Sequence, residues 1–223
     1  MPNVQVIDTG DGSHSLLDTD LQETYHSRHG AIRESTHVFI DNGLRVVDAL
    51  HSDKHVRILE IGFGTGLNAL LTLQAATRLH LCVTYQSWEK NPLPPAVVEQ
   101  LNFGTMLADA AAFRALHLAE WNLPVTAAPG FELMKVHRDI LADQPGGAFE
   151  LVYYDAFAPS KQPEMWTREI LGKVTKVLSP GGIWVSYCAR GQVKRDLAAL
   201  GLKVETLPGP PGKKEMTRAT FSP

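Results

Sequence analysis

The stretch ILEIGFGTGLNALLTL, residues 58–73, decides the fold. Ile58, Leu59 and Ile61 surround a single acid, Glu60, in a short apolar run. Gly62, Gly64 and Gly66 follow at alternate positions, and Leu67, Leu70, Leu71 and Leu73 then recur with helical spacing. The pattern predicts a buried parallel strand, a glycine turn and a helix. Such a turn leaves backbone N–H groups and a helix N-terminus facing a ligand, and glycine lets that ligand approach the backbone. A dinucleotide fingerprint places a third glycine three residues after the second, and here that position is Leu67. A nicotinamide oxidoreductase is therefore disfavoured.

Working outward, strands and helices alternate. Strands are expected at 56–61, 81–88, 151–156 and 183–188, and helices at 67–78, 106–119, 163–178 and 192–200. Ser179-Pro180-Gly181-Gly182 is expected to end a helix and start a strand. Alternation of this kind predicts a parallel sheet covered on both faces. The tail carries 203–207 and 216–221, separated by the breaker run Pro208-Gly209-Pro210-Pro211-Gly212 and read as an antiparallel end pair. Before the glycine turn, 1–50 forms an N-terminal appendage, a β-hairpin plus a helix on the substrate side, leaving 51–223 as the main domain.

Composition sets limits. The chain has 223 residues, 44% hydrophobic content and a formal net charge of -3. No apolar run approaches the roughly 18 residues that cross a bilayer, and no signal peptide is apparent, so the expected location is cytoplasmic. An acidic balance is no footprint of nucleic-acid binding, so an RNA role needs a local basic patch. Cys82 and Cys188 lie in apolar runs and are expected as buried thiols without a disulfide or a zinc site.

Three acids fall at predicted strand ends, where ligands of α/β sheets lie: Glu60, Glu89 and Asp155. Glu89 reads either as an acceptor for ribose hydroxyls or as a solvated partner of Lys90. Asp139 reads as a ligand contact or as a helix N-cap. Asp155 reads as a base for an amine or as a loop-capping aspartate, with Pro159 and Pro163 stiffening the loop after it. His26 and His29 lack a third partner, so no metal is expected. Lys213-Lys214 reads as a solvated face or as an RNA contact.

The pattern Glu60-x-Gly62-x-Gly64-x-Gly66 resembles motif I of class I S-adenosylmethionine-dependent methyltransferases. Asp155 followed by Phe157 and Pro159 resembles the acid–aromatic–proline loop of amine methyltransferases. Longer runs are more specific: Tyr25-His26-Ser27-Arg28-His29-Gly30-Ala31-Ile32-Arg33-Glu34-Ser35, Ser87-Trp88-Glu89-Lys90-Asn91-Pro92-Leu93, Asp155 to Trp166, and Gly212-Lys213-Lys214-Glu215-Met216. Together they resemble the methyltransferase domain of the bifunctional enzymes that make 5-methylaminomethyl-2-thiouridine in tRNA.

That resemblance implies an α/β, Rossmann-like fold with a mostly parallel seven-stranded sheet. It implies S-adenosylmethionine held by Glu60, Gly62, Gly64, Thr65, Gly66, Glu89, Lys90, Asp139 and Ile140, with Asp155 serving the amine. Tyr25, Arg28, Phe157, Lys161, Lys213 and Lys214 are candidates for the substrate side, with Arg33 and Arg218 able to join one basic face. The implied partner is the anticodon region of tRNA, and a separate flavin- or GTP-dependent enzyme would act upstream. The bifunctional enzymes add a flavin oxidase domain of which these residues show no trace, so the expectation is a stand-alone methyltransferase without flavin. Two other readings stay open: an aminopropyltransferase-like enzyme acting on a free polyamine, and a cofactor-binding RNA module without catalysis.

Overall fold

The computed structural model describes residues 3–50 and 53–221; the domain boundary expected at residue 51 lies outside them. A small antiparallel sheet comes first: β1 (Val4–Asp8), β2 (His14–Asp18) and β3 (Glu23–Thr24). A continuous helical run follows: α1 (Ala31–Ser35), a π-helical stretch (Thr36–Leu44) and α2 (Arg45–Leu50). The π-helical stretch packs directly on the main sheet. A Cβ on Gly43 would come within 3.2 Å of the Tyr153 ring and 3.3 Å of Val185, so only glycine fits there without displacement.

The main body then runs β4 (His55–Ile61), α3 (Leu67–Leu79), β5 (Cys82–Glu89), α4 (Pro95–Val98), α5 (Phe103–Met106) and α6 (Ala110–Leu118). It continues with β6 (Pro124–Ala128), β7 (Phe131–His137), β8 (Phe149–Tyr154), a 3-10 turn (Pro163–Trp166) and α7 (Arg168–Thr175). β9 (Leu178–Ser186), α8 (Gly191–Ala199), β10 (Leu202–Pro208) and β11 (Glu215–Phe221) close the chain. The sheet order is β10-β11-β9-β8-β4-β5-β7-β6. The five central strands are parallel, and β10–β11 form the expected antiparallel end pair.

The expected seven strands are joined by an eighth. β6 pairs antiparallel with β7 through a turn at Gly130, φ +74°. The helix expected at 106–119 is broken: Ala108 sits at φ +52°, and Asp109 caps α6 by accepting the Ala112 N–H at 3.1 Å. The helix expected at 163–178 ends at Thr175, because Leu178 already pairs with Phe149 in the sheet. Ser179-Pro180-Gly181-Gly182 lies inside β9, at a register shift in its pairing with β8. Cys188 is buried as expected, but Cys82, at the start of β5, is exposed.

Strand parity sorts the core into two layers. Val56 and Ile58 of β4 and Leu151 and Tyr153 of β8 pack under α3 and the 31–50 helical run. Leu59 and Ile61, with Val152 and Tyr154, pack under α7 and α8. The chain order reverses between β4 and β8, which opens a crevice at the carboxyl ends of these strands. No helix among the described residues is long and apolar enough to cross a membrane.

Candidate active site

The crevice holds a cavity of about 320 Å³. Its floor is the turn between β4 and α3, where Gly62, Gly64 and Gly66 take φ of +97°, +48° and +71°. A Cβ on Gly62 would stand 3.0 Å from the Asp155 carbonyl oxygen, and one on Gly64 would stand 3.3 Å from the Tyr25 ring. Alternate glycines therefore answer both backbone conformation and space.

Glu89, at the end of β5, lines this cavity beside the turn. One of its carboxylate oxygens accepts the Gly64 N–H at 3.0 Å, and the other accepts the Asn91 N–H at 2.7 Å. Lys90 turns to Asp139 instead, at 2.8 Å. Burial acts to raise the Asp139 pKa, but hydrogen bonds from Lys90 and the Leu141 N–H outweigh it and hold the carboxyl below the usual range. Asp139 caps only a turn, not a helix, and it lines the cavity together with Lys90 and Ile140.

Asp155 follows β8, and its backbone N–H continues the ladder to Ile61 at 3.1 Å. Its carboxylate accepts one hydrogen bond, from the Asn68 amide at 2.8 Å. Burial lifts its pKa to about 7; Asn68 and Lys213 oppose the rise and Glu34 adds to it. Above the acid, Tyr25 and Phe157 meet edge to face with ring centroids 4.9 Å apart. His26, its pKa lowered to about 4 mainly by burial, bonds the Thr65 hydroxyl at 2.7 Å and so ties the N-terminal segment to the glycine turn.

Several expected residues stand elsewhere. Glu60 is fully buried beneath the turn and does not line the cavity. Ser87 donates to it at 2.6 Å, and burial pushes its pKa up to about 8. Gly66 caps α3 and faces His117. Lys161 reaches back to the Leu21 carbonyl at 2.9 Å, strapping the N-terminal segment down. Arg28, Arg33 and Lys214 are exposed and outside the cavity, and Arg218 pairs with Glu205 across the end strands. A single basic face around Asp155 is not formed; of these cations only Lys213 lines the cavity.

The structure adds residues that the sequence reading did not single out. Asn68 positions Asp155, and the first turn of the helix after the glycines was the available signal. Glu34 and Tyr187 also line the cavity, and Glu34 lies within the specific run 25–35.

The donor set fits S-adenosylmethionine. The glycine turn offers close backbone approach, Glu89 offers an acceptor at the β5 end, and Trp88, Ile140 and Leu141 supply apolar wall. Carboxylates predominate: Asp18, Glu23, Glu34, Glu89, Asp139, Asp155 and Glu164 against Lys90, Arg138 and Lys213, which suits a cationic sulfonium.

Comparison with known proteins agrees. The bifunctional tRNA 5-methylaminomethyl-2-thiouridine biosynthesis protein MnmC of Cupriavidus necator is 32% identical over 217 residues, covering 90% of this chain and 32% of that protein. The corresponding protein of Aeromonas salmonicida is 30% identical over 220 residues, covering 86% and 32%. The chain thus spans about a third of the length of the curated relatives it matches. The crystal structure of MnmC2 from Aquifex aeolicus superposes with a TM-score of 0.78 at 28% identity, covering 100% of this chain and 72% of that one. Spermidine synthase from Thermotoga maritima, at a TM-score of 0.54, 14% identity and coverage of 98% and 72%, shares the fold alone. Residues 111–222 match the family model described as S-adenosyl-L-methionine-dependent methyltransferase, and the chain belongs to that family.

Proposed function

We propose that this methyltransferase acts on tRNA, methylating the exocyclic amine of 5-aminomethyl-2-thiouridine at the wobble position to give 5-methylaminomethyl-2-thiouridine. The observation that carries the reading is Asp155: a carboxylate at the end of β8, directly beside the glycine turn, its position set by Asn68. The names of the relatives point to the same product.

When bound, S-adenosylmethionine supplies a methyl on a sulfonium, given up to a nucleophile while sulfur keeps the bonding pair. The chain's residues prepare that nucleophile. An alkylamine near neutral pH is mostly ammonium and has no lone pair to offer. Asp155 accepts an N–H of the amine and takes up one proton, which frees the lone pair. Its raised pKa suits the task, because a base near the working pH takes the proton readily and returns it to solvent afterwards. Tyr25 and Phe157 flank the approach, where a base can lie against their rings.

The test is incubation of the protein with labelled S-adenosylmethionine and tRNA carrying the aminomethyl nucleoside, followed by nucleoside mass analysis. The expected product gains one methyl on the amine. Label on another nucleoside, or on a free polyamine instead, would overturn the reading.

A further inference from the structure

The loop between β10 and β11 delivers Lys213 into the cavity. Gly212 makes this possible: it takes φ +86°, and a Cβ there would stand 2.0 Å from the His29 ring. The Lys213 ammonium donates to Glu34 at 2.5 Å and lies 3.7 Å above the centre of the Tyr187 ring. Neither partner is loose. Glu34 is 5% exposed, and its other oxygen accepts the Ser27 N–H at 2.7 Å. The Tyr187 hydroxyl donates at 2.8 Å to the carbonyl of Ala156, the residue after Asp155. A buried carboxylate and a lysine ammonium thus line the same cavity as Asp155, joined through Tyr187 to the carbonyl of the residue after it.

We propose that Lys213 is a positioning residue for the proton: its ammonium offsets the charge of Glu34, so that Asp155 stays ionised and the substrate amine gives up its proton. The inference rests on the reading that the substrate is an amine. In the step concerned, the substrate's own ammonium passes one proton to the Asp155 carboxylate, and Lys213 keeps its protons. The freed nitrogen then forms the new N–C bond as the methyl–sulfur bond breaks with its pair left on sulfur. Without Lys213, the negative charge of Glu34 would bind protons more tightly on both Asp155 and the amine.

The other groups facing this place are accounted for. Tyr187 and Cys188, after β9, are pushed up first of all by burial. His26 is held neutral by burial, and Glu60, beneath Asp155, adds charge only above a pH of about 8. Glu23, Asp18, Glu89, Asp139 and Glu164 add carboxylates on the cavity wall; Lys90 is paired with Asp139 and Arg138 with Asp143, so the ammonium of Lys213 is the cation paired with Glu34. Lys194 and Arg190 act on Cys188 from the far side of Tyr187 in sequence.

The experiment measures kcat/KM against pH for wild type, Lys213→Met and Lys213→Arg on tRNA carrying the aminomethyl nucleoside. Carboxyl 13C NMR follows the titration of Asp155 in the same three proteins without substrate. In Lys213→Met, both the acidic limb and the Asp155 titration should move up by about one pH unit. Activity would then fall about tenfold near neutrality and recover in alkali. Lys213→Arg should keep both near wild type. Should the Met variant fail to fold, Lys213→Gln serves as the neutral variant. Coincident profiles and titrations in the neutral variant would overturn the proposal, even if tRNA affinity drops. If wild type leaves the amine unmethylated, the amine reading fails by itself. The NMR titration then still decides whether Lys213 sets the charge on Asp155.

Discussion

The carboxylate of Glu89 accepts the backbone N–H of Gly64 at 3.0 Å, which binds the end of β5 to the middle of the glycine turn. The acid thus ties the turn to the end of β5, and in the proposed cofactor site its remaining lone pairs would serve the ribose hydroxyls. Charge-assisted hydrogen bonds are worth roughly 1.5–3 kcal/mol each. Glu89→Ala should weaken S-adenosylmethionine by at least about tenfold while the protein stays folded. Calorimetry showing wild-type affinity would remove Glu89 from the cofactor site.

Asp155→Asn keeps the size of the side chain and loses its charge and basicity. Cofactor affinity should be spared. The methylation rate should drop by about a hundredfold or more, the scale of a positioned proton acceptor. With Asp155 as the proposed base the ionised form is the one that acts, so kcat/KM should fall as pH drops through about 7, and the Asn variant should lack that limb. Near-normal turnover by Asp155→Asn would reduce the residue to a shaper of its loop.

Much of this site was legible because it hangs on local signals. Alternate glycines after an apolar run can hardly be anything but a strand–turn–helix, and Glu89 and Asp155 sit at strand ends that the same periodicity locates. Glu60 shows where local reading stops. It lies two residues before Gly62, yet parity in β4 puts it on the Ile58 face, buried beneath the turn and outside the cavity lining. Glu34 and Tyr187 were invisible for another reason. Glu34 joins the cavity of Asp155 only once the helical run packs on the sheet and Lys213 crosses to it from a segment 179 residues away, and Tyr187 joins it by bonding the Ala156 carbonyl from the far end of β9. The extra edge strand β6 escaped notice because its residues PVTAA carry little apolar alternation.

Glu60 also links the fold to pH. Its folded pKa of about 8 lies above the ordinary carboxylate value, so the folded state binds a proton that the unfolded chain releases. Stability from this group is fully present at acidic pH and is lost as pH rises through about 8. Glu60→Gln keeps an acceptor for the Ser87 hydroxyl and cannot ionise. Urea unfolding at pH 5.5 and 8.5 should show the variant gaining on wild type by on the order of 2 kcal/mol at the higher pH. Parallel pH dependences for the two proteins would mean Glu60 is not neutral in the fold.

How an acidic protein would hold tRNA is then a question of the rim. Arg28 and Lys214 are exposed, and their segments touch where Gly212 packs on His29. Lys213 is engaged with Glu34 and Tyr187, and Arg218 with Glu205, so neither is free for phosphate. Phosphate contacts add affinity with strong salt dependence and little sequence preference. Arg28→Ala combined with Lys214→Ala should raise the KM for tRNA several-fold, on the order of threefold to tenfold, and flatten its dependence on salt. Affinity for S-adenosylmethionine, and the pH limb set by Asp155, should not move. If tRNA binding by the double variant follows wild type from low to high salt, these two side chains are ordinary solvated surface. Arg33, exposed, and Arg138, on the cavity wall, would be the next pair to change.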